Sequence, residues 1–148
     1  MQFLRAQKLH DHGEGVVVGD GRGGGYRERV PQRRRTDPAS GRAAVTRARG
    51  TEHPDPGDLR DATRFLLEEL AARAPGRSVE VRVPPYGAVQ CGEGPRHTRG
   101  TPPNVVETDP LTWLQLAAGG VTWAEAVGSG RVVASGERAD LSAYLPLV

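Results

Sequence analysis

The sequence predicts an α+β domain, an antiparallel or mixed sheet of four to five strands covered by helices on one face. Three observations carry that prediction. Val79, Val81 and Val83 alternate strictly with Ser78, Glu80 and Arg82, the period of a strand with one buried and one wet face. Pro84-Pro85 interrupts the run and Tyr86–Cys91 resumes it, so the pair reads as an antiparallel hairpin. Helix-like segments then gather downstream of these strands instead of alternating with each of them.

Taken in order, residues 1–52 show little period and too few apolar residues to offset chain entropy, which predicts a disordered, Gly/Arg-rich segment. A weak helix signal follows Asp37-Pro38, over Ala39–Ala48. Composition turns purposeful only from Val30, so translation is expected to start there and residues 1–29 to fall outside the native coding sequence. The folded domain is placed at 53–148. Its first helix opens at Asp58, read as the cap, with Asp61 in the first turn. Leu59, Ala62, Leu66, Leu70 and Ala74 form its apolar stripe, widened by Phe65 and Leu67, and Pro75-Gly76 ends it. After the hairpin comes a polar loop, then a third strand over Asn104–Thr108. Asp109-Pro110 is a strong helix start, and Gly119-Gly120 a stop. Thr122 and Glu125 form a capping box for a short helix through Val127. Arg131–Ser135 is a fourth strand, and Ala139–Leu145 a closing helix with Leu141, Tyr144 and Leu145 inward.

Charge is divided unevenly. Residues 1–50 carry eleven basic against five acidic side chains, and residues 51–148 nine against thirteen. The pI of 9.1 thus belongs to one end of the chain. Basic charge is arginine except for Lys8, a bias that points to a GC-rich bacterial genome. One cysteine excludes an internal disulfide framework and fits a reducing cytosol. No apolar run approaches the roughly 20 residues that span a bilayer. A soluble, cytoplasmic protein is expected.

From Asn104 to Leu145 the chain resembles the sterol carrier protein family. The resemblance rests on the strand Val105-Val106-Glu107, the tryptophan-bearing helix that ends at Gly119, the short helix Trp123–Val127, and the close Gly130-Arg131-Val132-Val133-Ala134-Ser135-Gly136-Glu137. VPPYGAVQC and EGPRHTRGTPPNVVETDP, within Pro75–Asp109, look like the small bacterial branch, and RRRTDPASGRAAV at Arg33–Val45 resembles that branch's usual beginning. The resemblance implies a sterol-carrier-like fold. It also implies an apolar cavity between sheet and helices that takes sterol-like or fatty-acyl ligands without catalysis. Such a cavity needs an aliphatic inner sheet face, for which Val81, Val89, Val106 and Val133 are the candidates beside Val79 and Val83. Phe65, Trp113, Leu116, Trp123 and Leu141 would roof it. Plain close packing is the competing reading for each of these residues.

Arg96, His97 and Arg99 are the most polar concentration inside the domain. Two guanidiniums and an imidazole suit a carboxylate or phosphate head group. A solvated loop paired with Glu93 or Glu107 is the plainer reading. Cys91 with His97 suggests a thiol and its base, but no third, orienting residue is evident, and a strand cysteine is usually a small buried hydrophobe. Gly128-Ser129-Gly130 is no nucleophile elbow, because Val127 and Arg131 stand where glycines are required. Gly19–Gly24 matches a dinucleotide-type glycine pattern, yet Pro31 cuts off the helix such a site needs. His10, Asp11 and His12 supply too few ligands for a metal site. Arg33-Arg34-Arg35, without interleaved aromatics, reads as a solvated tail and not as a specific nucleic-acid contact.

No catalytic residue, metal or cofactor is therefore expected. The expected partner is a lipid or other hydrophobic small molecule, with transient membrane contact during exchange; the sequence names no protein partner. Two further functions compete with lipid binding and transfer. One is the same fold without a pocket, serving as an interaction or regulatory module for a partner enzyme. The other is an enzyme built on Cys91 and His97.

Overall fold

Asp-Pro opens three helices among residues 33–95, 100 and 102–148, the part of the chain that this computed structural model describes. In each, an aspartate outside the helix accepts from free first-turn amides, and the proline removes an amide that would have had no partner. The expectations for the Val30 start, the Gly19–Gly24 run and His10–His12 lie outside the described residues.

The first of these helices, α1 (Pro38–Arg49), is capped by Asp37, whose Oδ2 accepts from Ser40 N at 2.9 Å. Gly41, Ala44, Val45 and Ala48 are buried on its inner side, which packs on α2 (Pro56–Arg73). A Cβ at Gly41 would lie 2.4 Å from the Phe65 ring, so only glycine admits this approach. The preceding residues are tied down as well. Arg35 N donates to Glu68 Oε1 at 3.0 Å, and Arg34 pairs with Glu69. Within the span expected to be disordered through residue 52, Pro38–Arg49 forms α1, where the sequence carries only a weak helix signal. The reason is that α1 buries small residues, whose stripe carries little hydrophobic signal while still permitting close helix contact.

The second helix starts at Pro56, with Asp55 as its cap, and not at Asp58 as expected. Asp55 Oδ2 accepts from Gly57 N at 3.0 Å and Asp58 N at 3.3 Å. The Asp58 carboxylate is turned to α1, where Oδ1 takes Arg47 Nε at 3.0 Å.

Four strands follow the order β2-β1-β3-β4, with β1 (Val79–Val83), β2 (Gly87–Cys91), β3 (Val105–Thr108) and β4 (Val132–Ser135). The hairpin β1/β2 is antiparallel, with Val81 opposite Val89. The central pair β1/β3 is parallel, with Val81 beside Val106, and β3/β4 is antiparallel, with Val106 opposite Ala134. The sheet is therefore mixed. On its inner face Val79, Val81, Val83, Cys91, Val106 and Val132 are buried. On its outer face Arg82 grips Glu80 with two bonds of 3.1 Å each, beside the exposed Glu107.

Helix α3 (Pro110–Ala118) is capped by Asp109 and ended by Gly119 at φ 77°, a left-handed conformation that glycine adopts freely. It buries Thr112, Trp113, Leu114, Leu116 and Ala117 and packs against α2. Helix α4 (Trp123–Gly128) carries the expected capping box. The expected closing helix over Ala139–Leu145 is reduced to a single 3-10 turn, Ser142–Tyr144. Two local effects stop it. Asp140 Oδ1 accepts from Ser142 N at 2.8 Å, an Asx-turn that competes with helix, and Pro146 disfavours helical backbone at Leu145. The tail still closes the core: Leu141 and Leu147 are buried, and Leu147 N donates to Ala117 O at 2.8 Å. Arg73 Nη1 clamps the same segment through Pro146 O at 3.1 Å.

Candidate ligand-binding core

The layer between the inner sheet face and the helices is where the expected ligand residues converge. Phe65 comes from α2, Val81 from β1, Val106 from β3, Trp113 and Leu116 from α3, and Leu141 from the tail; all belong to one contiguous buried cluster. Val89 and Trp123 are half-buried and pack against its edge. Leu66, Leu67, Leu70, Val83, Cys91 and Leu147 are among its other members. Trp113, placed in a roof by the sequence reading, lies wholly inside, with no exposed surface.

Val133 does not belong there. It is 66% exposed, because the β3/β4 register sets it opposite Glu107 on the outer face while Val132, opposite Thr108, turns inward. Two adjacent valines point to opposite faces, so residue type alone cannot tell which is inside. Arg96, His97 and Arg99 lie outside the described residues.

The cluster is chemically plain. Its only ionisable member is Cys91, whose thiol burial pushes up to about 11. At neutral pH it is a thiol, a weaker nucleophile than the thiolate. Buried polar side chains at the margins are nearly all satisfied. Asn104 donates from Nδ2 to Ser78 O at 3.0 Å and accepts from Arg138 N at 3.0 Å. Thr108 Oγ1 donates to Arg131 O at 2.8 Å, and Thr112 Oγ1 to Asp109 Oδ2 at 2.6 Å. Among the described residues, two buried side-chain atoms have no partner: Trp113 Nε1 and Thr63 Oγ1. An unmet buried donor costs about 1–3 kcal/mol, so each is a departure that asks for a cause.

Beside the cluster lies a recess of about 140 Å³, lined by exposed Glu93, Arg138 and Asp140 and by buried Val79, Cys91 and Leu141. Arg138 Nη1 donates to Glu93 O at 3.2 Å there. The Ser142 hydroxyl and backbone N–H hold the Asp140 carboxyl below its ordinary range. Among the described residues no group of three or more His, Cys, Asp or Glu is placed to hold a metal ion, and no helix is long and apolar enough to cross a membrane.

A mixed sheet with one bare face and one face roofed by helices over an uncharged interior defines the class of α+β proteins organised around an apolar layer. The chain belongs to the bacterial family of sterol carrier protein orthologs, whose model, described as "Bacterial SCP ortholog", matches residues 55–147. That membership implies lipid binding in general terms. Among curated proteins, none matches the chain. The match begins at α2, so α1, although packed on the domain, precedes it. Neither Thr63 nor Leu147 stood out in the sequence reading. Thr63 had a signal, since it falls one turn after Leu59 and one before Leu66 and Leu67 on the apolar side of α2.

Proposed function

We propose that this protein binds and transfers lipids without catalysis, holding a fatty-acyl or sterol-like molecule in the layer between the sheet and α2/α3. One observation carries the reading: the interior shared by the two layers is aliphatic and aromatic, with no carboxylate, guanidinium or imidazole among its described buried members. Such an interior attracts hydrocarbon at roughly 25 cal/mol per Å² of apolar surface removed from water. Membership in the carrier family supports the same reading. The described residues of this layer belong to one contiguous buried cluster, so a guest held among them displaces side-chain contacts. The ligand then replaces contacts that the closed protein makes with itself.

The test is titration of the full chain with a fluorescent fatty acid, followed by displacement with unlabelled fatty acid and with a sterol. Saturable, displaceable binding of one molecule per chain is the expected result. Absence of binding at concentrations below the fatty acid's micelle threshold contradicts it. The contiguity of the buried cluster also favours a second reading, a filled scaffold that docks on a partner enzyme. That reading predicts no lipid binding and a defined partner retained on immobilised protein.

A further inference from the structure

We infer that Trp113 is the residue that reads the polar end of the guest: its indole N–H donates to an oxygen of the bound lipid, so the core selects oxygenated lipids over plain hydrocarbon. The inference rests on the lipid-binding reading and narrows it to a ligand class and a contact. Trp113 has no exposed surface, and its Nε1 has no acceptor in protein. Indole nitrogen only donates, so no rotation of its own makes it content, and buried indoles ordinarily find a partner. Its surroundings are apolar, which strengthens any bond formed there and makes the missing one costly. The other unpartnered buried atom, Thr63 Oγ1, sits on α2, which packs against α3. Two helices packed against one another thus each carry one unmet polar atom in an otherwise greasy interior. A carbonyl or hydroxyl oxygen on an otherwise apolar molecule supplies the acceptor that the indole N–H lacks, whereas an alkane supplies none.

The experiment uses the full chain with ¹⁵N-labelled tryptophan, and 1-decanol and decane as probes delivered from cyclodextrin. The two indole resonances are assigned with Trp123→Phe. Decanol is expected to move the Trp113 indole proton downfield and to slow its exchange, while decane binds without that downfield shift. Trp113→Phe, which keeps a ring and removes the donor, is expected to weaken decanol about tenfold and to leave decane unchanged. If both probes bind but the resonance ignores decanol, the inference falls and lipid binding stands. It falls equally if Trp113→Phe weakens both probes alike, or if the free protein shows a bound water on the indole proton. If neither probe binds, the lipid-binding reading falls first and the inference with it. The wild-type resonance decides the matter even if Trp113→Phe does not fold.

Discussion

The two faces of one sheet both carry valine, and the valines live in different worlds. On the covered face, valines of β1, β3 and β4 meet Phe65, Leu66 and Trp113 and lose their water; on the bare face Val133 remains 66% exposed beside Glu107 and the Arg82–Glu80 pair. The difference lies in what stands opposite, because strand propensity reflects a half-buried surface more than the backbone itself. It places the buried packing on one side, which is also the side where we propose the guest sits. A guest that replaces protein contacts must do so under the helices, where contacts exist to be replaced.

The largest test of this contrast is Leu66→Ala on the covered side. Leu66 has no exposed surface, and the truncation is expected to destabilise by about 3–4 kcal/mol in denaturant unfolding. A much smaller loss would mean that the covered side is already loose. Next is pH. The Cys91 thiol is raised from 9.0 to about 11, so the folded state favours the neutral form. Its contribution is fully present below pH 9 and is lost as pH rises toward about 11, a fall of roughly 2 kcal/mol that Cys91→Ala should abolish. A wild type with no such fall would place Cys91 nearer water than the covered face allows. Smaller and opposite in sign is Thr63→Val. Removing an unpartnered hydroxyl from the core is expected to stabilise the ligand-free protein by about 1 kcal/mol. Destabilisation would show that the hydroxyl has an acceptor. Smallest is Val133→Thr on the bare face, expected to shift stability by less than about 0.5 kcal/mol. A cost rivalling Leu66→Ala would mean that something covers that face in solution.

The sequence announced what strong local chemistry controls. Alternation in Val79–Val83 and the Asp109-Pro110 and Thr122/Glu125 start signals led to β1, α3 and α4 nearly to the residue. It misled where a nearby residue could play the same part. Asp58 looked like a cap, but Asp55 with Pro56 holds that place and Asp58 serves an ion pair instead. Helix α1 gave only a weak signal over Ala39–Ala48, because glycine and alanine make a close-packed stripe without looking hydrophobic. The closing helix failed because Asp140 and Pro146 act over a span too short to resist them. For the candidate site, Phe65, Val81, Val106, Trp113 and Leu116 were legible as inward positions on periodic elements, and Leu141 is buried although the helix expected to carry it is absent. Val133 was not, since facing is decided by register across β3/β4, a non-local property. The unmet indole was invisible in principle, because satisfaction of a donor depends on atoms contributed by the whole fold.

The claim that the covered layer accepts an apolar guest is met most directly by native mass spectrometry of the full chain incubated with a long-chain fatty acid. The account predicts an adduct of one fatty acid per chain, retained by Val133→Thr and diminished by Trp113→Phe. An unliganded chain at every fatty acid concentration, under conditions that keep it folded, would contradict it.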